Sequence, residues 1–252
     1  MFNIIFDLDE TLVESLKASD ELFDFISKKY DFDLPIIEFR LVLRQLLVDF
    51  YKKYSNAEFM KYGMGINDLF MHPNIDKYLP GIDIEKAKVN LLKQSFRLLD
   101  MDYGHEDAVD ISRDMKIKWL DFYEPVKGAS ETIEKLKNGG AALFILTNGF
   151  SYMQRKKAER CLNTELFDGI YISEELGIGK PDKIVFETII EREKLDRKNT
   201  VMIGDRYNSD FIPAQKAGFK AVLFDRYNRN REKIEKVHSL TEFCELIERD
   251  NL

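Results

Sequence analysis

Residues 4–13 read IIFDLDETLV: an apolar run that closes on two aspartates one residue apart, Asp7 and Asp9, with Thr11 just after them. A short apolar run bounded by polar residues predicts a strand covered on both faces, as in a parallel sheet. Two like charges at its mouth are unfavourable unless something nearby compensates them. What the rest of the chain brings to that point decides both fold and chemistry.

Four further runs of the same kind predict strands over 142–146, 170–172, 201–203 and 221–224. Helical stretches over 130–138, 151–162, 183–194 and 211–217 alternate with them at the spacing of βα units. Gly139-Gly140 and Gly218 supply helix stops. The pattern predicts an α/β fold with a doubly wound, Rossmann-like parallel sheet. Residues 15–124 lack buried-strand runs and show helical periodicity instead, with stretches at 41–50, 85–99 and 106–122. A βα crossover needs only about a dozen residues. The expected organisation is therefore a catalytic core from 1–14 and 125–252, interrupted by an all-helical domain over 15–124.

The 252 residues are 44% apolar and 33% charged, enough to fill a core. A net charge of −7 argues against a nucleic-acid polymer or a membrane surface as partner. It leaves room for a small anionic substrate in a local cationic pocket. The two cysteines, Cys161 and Cys244, have no metal-binding spacing and suit a reducing compartment. With no apolar stretch of membrane-spanning length and no signal-peptide pattern, a cytoplasmic location is expected. Oligomeric state is not readable from the sequence.

In open α/β sheets, ligands bind beyond the carboxyl ends of the strands. The residues that follow the predicted strands are Asp7-Leu8-Asp9-Glu10-Thr11, Thr147-Asn148-Gly149, Gly177-Ile178-Gly179-Lys180-Pro181 and Gly204-Asp205 through Asp210. Each places polar, charged or glycine residues at the same edge. Asp7, Asp9 and Asp205, with Asp210 as a further candidate, converge there with one lysine, Lys180. Crowded carboxylates call for a divalent cation, and Mg²⁺ fits best, because it uses one or two carboxylates, waters and substrate phosphate. Thr147 offers a hydroxyl, and Asn148 and Gly149 offer N–H groups at the start of a helix, a natural anion site. Lys180 adds a charge able to pair with phosphate and with Asp7. Metal, N–H donors and lysine together would stabilise a transferring phosphoryl group.

These residues resemble the haloacid dehalogenase-like (HAD) phosphohydrolase superfamily: its DxDxT motif at Asp7, Asp9 and Thr11, its hydroxyl residue at Thr147, its lysine at Lys180 and its GDxxxxD motif at Asp205 and Asp210. The motifs stand in the family's order, and the helical insertion sits where that family carries a cap. The resemblance implies a Mg²⁺-dependent phosphatase. Asp7 would attack phosphorus to form an aspartyl-phosphate, and Asp9 would protonate the leaving alcohol and then activate water. Carboxylate crowding is expected to raise the Asp9 pKa for that purpose. Asp7 and Asp205 would hold Mg²⁺ by side chain and Asp9 by its backbone carbonyl, with Thr11 and Asp210 supporting them. Thr147, Asn148, Gly149 and Lys180 would hold the phosphate. Carbon-attacking dehalogenases of the family generally lack a carboxylate at the position of Asp9, and Glu10-Thr11 leans away from a phosphomutase. A phosphomutase and a catalytically silent binding module are the alternatives, and a nucleoside monophosphate or sugar phosphate is the suggested substrate.

Outside the motifs, solvated or packing roles are expected. Arg155-Lys156-Lys157 and the basic run over 226–236 read as exposed faces. Met60, Met64 and Met71 read as packing, and His72, His105 and His238 as scattered. Arg40, Lys52 and Lys53 read as surface.

Overall fold

The computed structural model describes residues 2–54 and 68–249. Met60 and Met64 lie outside the described residues. The chain divides into two compact units, Met1–Ser15 with Glu124–Leu252 and, apart from them, most of the intervening chain.

The first unit holds β1 (Asn3–Phe6) and, in the second, helices α1 (Ser15–Lys29), α2 (Ile36–Tyr54), α3 (Ile84–Leu98) and α4 (His105–Lys118) follow. The chain then returns to the first unit with α5 (Ala129–Asn138), β2 (Ala142–Thr147), α6 (Ser151–Cys161), β3 (Gly169–Ile172) and α7 (Lys183–Glu193). It ends with β4 (Thr200–Gly204), β5 (Lys220–Phe224), β6 (Lys236–Val237) and α8 (Leu240–Arg249).

The six strands form one sheet in the order β3-β2-β1-β4-β5-β6, all parallel. This is the doubly wound α/β architecture expected from the apolar runs, and β1 is central. All four β1 residues are buried because both faces of the strand are covered. Ile5 packs with Phe144, Val185, Phe186, Met202 and Phe211 on one face. On the other, the Phe6 ring meets the edges of Phe243 on α8 and Phe167, with ring centres 5.9 and 6.4 Å away. Full burial of each such side chain contributes about 1.5–3 kcal/mol. The sixth strand is absent from the sequence reading because it is two residues long and one of them is a lysine.

Phe6 lies opposite both Ile145 and Ile203, so β1 stops just short of where β2 ends at Thr147 and β4 at Gly204, all along the same edge. Polar residues that follow them in the chain therefore meet at one edge. Where the chain leaves the first unit and returns, its backbone is paired: Glu14 donates to the Glu124 carbonyl at 2.9 Å and Val126 to that of Leu12 at 2.8 Å.

The second unit has its own core. Phe39, fully buried, stacks on Phe96 at 6.0 Å and meets Phe32 edge-on at 5.0 Å. Asp83 caps α3 by accepting from the Lys86 N–H at 3.0 Å. Met71 is buried, as packing required. Arg40 pairs with Asp20 and lies over the Phe23 ring.

His72 is 4% exposed and its Nδ1 accepts from the Asn74 N–H at 3.1 Å. Burial, with Lys77 next, lowers its pKa from 6.5 to about 4. The unfolded chain therefore binds more protons in this window. The stability due to neutral His72 is present above pH 6.5 and is lost as pH falls toward 4, by up to about 3 kcal/mol. In urea titrations from pH 7 to 4.5, the stability difference between the native chain and His72→Gln should shrink by that order.

Candidate active site

Asp7 continues β1 and anchors its backbone by donating to the Ile203 carbonyl at 2.9 Å. Its Oδ1 accepts from Lys180 Nζ at 2.6 Å, and the same ammonium lies 2.6 Å from Asp210 Oδ1. Carboxylate oxygens of Asp7, Asp205 and Asp210 lie within 4.8 Å of one another. Three acids against one lysine leave a buried excess of negative charge. Burial pushes the Asp7 carboxyl well above the ordinary range; Lys180 opposes this, and Asp210 and Asp205 add to it. Burial and then Asp210 push Asp205 up to about 6. Burial also works against the charge on Lys180, but Asp210 and Asp7 outweigh it and raise its pKa.

Asp210 is held from both sides. Its Oδ2 accepts from the Arg206 N–H at 2.9 Å, and its Oδ1 faces Lys180. Gly204 makes this possible, because a Cβ there would stand 2.6 Å from the Asp210 side chain. Asp205 Oδ1, by contrast, is buried and has no hydrogen-bond partner among the described residues. A buried carboxylate oxygen left unpaired is costly, and beside two other carboxylates it is the donor atom a hard cation uses. The residues present thus fit Mg²⁺. Thr11, fully buried on the loop after β1, also has a hydroxyl without a partner among the described residues.

That loop is tight. The N–H groups of Thr11, Leu12 and Val13 all point to the Leu8 carbonyl, and Glu10 sits at a left-handed φ of 64°. Arg226, from the basic run expected to be solvated, braces it by pairing with Glu10 at 3.0 Å and Glu14 at 2.5 Å.

The Asp9 carboxylate stands outside that group of three and is engaged by other partners. Its Oδ1 accepts from Ser15 and from Lys157 Nζ at 2.8 Å, and its Oδ2 from Gln154 Nε2 at 2.7 Å. Burial favours a raised pKa, but the Lys157 charge and the hydrogen bonds from Lys157, Ser15 and Gln154 more than offset it. The Asp9 carboxyl ends below its ordinary value. The expectation of a raised pKa from crowding is corrected on this point: crowding acts on Asp7 and Asp205. Lys157 is corrected too, because its side chain is 11% exposed, whereas Arg155 and Lys156 are at the surface as expected.

The loop after β2 is more committed to the protein than expected. Thr147 Oγ1 accepts from Gln154 Nε2 at 2.6 Å. The Asn148 side chain clamps the Lys180 backbone, accepting from its N–H at 2.9 Å and donating to its carbonyl at 2.7 Å. The Gly149 N–H is spent on Ser173 Oγ at 2.9 Å, and the Ser151 N–H at the start of α6 on Glu174 at 2.6 Å. Gly149 therefore has no N–H to spare in this arrangement. Asn148 has a further part through its side chain, which fixes the residue that carries the lysine.

The arrangement brings together Asp7, Lys180, Asp205 and Asp210 in one cluster and Asp9 with Thr147 in an adjoining one, bridged by Gln154. Gln154, Lys157, Ser15, Ser173 and Arg226 were not foreseen. Helical spacing was the available signal for two of them: 154 and 157 lie three apart and share a face of the helix that starts beside Thr147.

Residues 3–218 match the family described as haloacid dehalogenase-like hydrolase. A pyrimidine 5'-nucleotidase, YjjG, of Escherichia coli is 33% identical over 108 residues, which are 42% of this chain and 48% of that protein. The match thus spans about half the length of that relative. A glyceraldehyde 3-phosphate phosphatase of Pyrococcus furiosus is 26% identical across 98% of this chain and 93% of its own. Among solved structures, the putative HAD-hydrolase YfnB from Bacillus subtilis, bound to magnesium, superposes with a TM-score of 0.63 over 98% of both chains at 17% identity. At that identity the likeness is one of fold.

Proposed function

The chain belongs to the haloacid dehalogenase-like hydrolases, and within that family we propose that it is a Mg²⁺-dependent phosphatase acting on a small phosphate monoester. The observation that carries the proposal is the buried cluster of Asp7, Asp205 and Asp210 around Lys180, with Asp205 Oδ1 unpartnered. Asp7 and Asp205 would hold the cation by side chain and the Asp9 backbone carbonyl would complete the protein's share. When bound, the cation would keep Asp7 ionised and draw charge from the phosphoryl oxygens. Asp210 and Thr11 support the ligands, and Asp210 is already engaged by Lys180 and the Arg206 N–H.

Asp7 attacks phosphorus, and the bond from phosphorus to the alcohol oxygen breaks. The leaving oxygen takes a proton from Asp9, and the phosphoryl group rests on Asp7 as an aspartyl-phosphate. Asp9 then accepts a proton from the water that attacks phosphorus, which frees inorganic phosphate and Asp7. Thr147, Lys180 and the backbone of Asn148 hold the phosphoryl oxygens, with Gly149 shaping the turn. Asp9 is ionised beside Lys157 before substrate arrives. A phosphate monoester arriving as its monoanion brings a proton, competes for the Lys157 ammonium and places negative charge near Asp9, so that Asp9 takes up that proton before passing it to the leaving oxygen.

The relatives' names span a nucleotidase and a triose-phosphate phosphatase, which supports a small phosphorylated metabolite as the substrate class. Residues 15–124 are read as a cap that sorts substrates. No described helix is long and apolar enough to cross a membrane.

A panel of nucleoside monophosphates, triose phosphates and sugar phosphates, assayed for phosphate release with Mg²⁺ and with chelator, tests the proposal. Release from at least one ester that stops with chelator is the expected result. No release from any of them favours a silent module, and transfer that needs a bisphosphate activator favours a mutase.

A further inference from the structure

Gln154, in the first turns of α6, is 2% exposed and carries no charge. Its Nε2 lies 2.6 Å from Thr147 Oγ1, 2.7 Å from Asp9 Oδ2 and 3.1 Å from the Asn148 carbonyl. A carboxylate and a backbone carbonyl only accept, so the amide must turn its nitrogen toward them. One NH₂ group thus spans two loops that leave different strands, Asp9 after β1 and Thr147 at the end of β2. Because Thr147 Oγ1 accepts from Gln154, its own proton remains to be donated, and its bond to the Asn148 carbonyl is long at 3.4 Å.

The stem of Gln154 has no slack. Gly149 adopts a φ of 141°, and a Cβ there would stand 3.0 Å from both Cγ and Cδ of Gln154. The side chain lies flush against the phosphate loop. Lys157, one turn further along the same face, meets the other Asp9 oxygen.

We infer that Gln154 is a positioning residue: it fixes the Asp9 carboxyl relative to the Thr147 hydroxyl, so that the leaving oxygen and the phosphoryl group meet a pair set at one separation. The inference rests on the proposed phosphatase reading, in which Asp9 protonates the leaving alcohol. Acid–base groups lose much of their advantage when their supports loosen.

A leaving-group series tests this. Values of kcat/KM, which cover steps up to departure of the alcohol, are measured for alkyl and aryl phosphates with the native chain and with Gln154→Met. A misplaced acid matters most for alcohols that leave poorly. Gln154→Met should lose about 10²-fold on alkyl phosphates and about tenfold less on nitrophenyl phosphate, which steepens the dependence on leaving-group pKa. A parallel drop across the series, as a merely structural role would give, or no drop, overturns the inference. If Gln154→Met does not fold, Gln154→Asn keeps a neutral amide but draws it back by one methylene from Asp9 and Thr147, and should steepen the series likewise. Asp7→Asn is run in parallel. Hydrolysis by the native chain that Asp7→Asn abolishes leaves the phosphatase reading standing even when the series fails to steepen, and no hydrolysis by the native chain overturns both.

Discussion

Asp7→Asn should abolish Mg²⁺-dependent phosphate release, by about 10⁴-fold or more, while leaving the metal-free chain at least as stable as before. The first half follows from the removal of a nucleophile, where losses of that order are usual. The second half comes from the site's electrostatics. Burial, then Asp210 and Asp205, hold the Asp7 pKa well above its unfolded value, against the pull of Lys180. A carboxyl whose folded pKa is raised gives its full stability at low pH and loses it as pH rises through the folded value. At neutral pH the native chain thus carries a penalty that a neutral asparagine removes. Urea unfolding in chelator, paired with the activity assay, checks this. Equal or higher stability with activity gone is expected, whereas a destabilised variant would contradict the charge balance described for the site.

Lys180→Met should act in the opposite direction on stability. The lysine side chain is 3% exposed and touches both Asp7 and Asp210 at 2.6 Å. Taking it away leaves buried carboxylates with no cation, a loss of about 3–5 kcal/mol for a broken buried pair. Because Asp7 and Asp205 have folded pKa values raised first of all by burial, the deficit should shrink as pH falls from 8 toward 5 and they take up protons. Mg²⁺ should recover part of it by binding only the folded chain. Activity should fall by about 10²–10³-fold from the lost stabilisation of the phosphoryl group. Unfolding midpoints for native and variant chains at both ends of that pH range, with and without Mg²⁺, give the measurement. A variant as stable as the native chain at pH 8 in chelator would contradict it.

The strands and the cluster were legible in the sequence for one reason. Asp7, Lys180, Asp205 and Asp210 stand just after buried runs or the turns that follow them, and a parallel sheet brings those points to one edge. Side-chain direction was not legible. Asp7 and Asp9 are two residues apart, which suggests shared crowding, yet the loop turns at Glu10 and sends Asp9 to Ser15, Gln154 and Lys157. Lys157 reads as one of three basic neighbours, and only the packing of α6 distinguishes it from Arg155 and Lys156. Arg226 was masked in the same way by the basic run that contains it. The Gly149 N–H reads as a free helix-start donor, because its acceptor, Ser173, lies more than twenty residues ahead.

The central claim is that Asp7 takes the phosphoryl group. A turnover mixture with a phosphate ester labelled at phosphorus, quenched in acid and digested, tests it most directly. The account predicts label on the peptide that carries Asp7, removable by hydroxylamine as an acyl-phosphate is, and absent from Asp7→Asn. Phosphate release with no label at Asp7, or with label on another peptide, would contradict it.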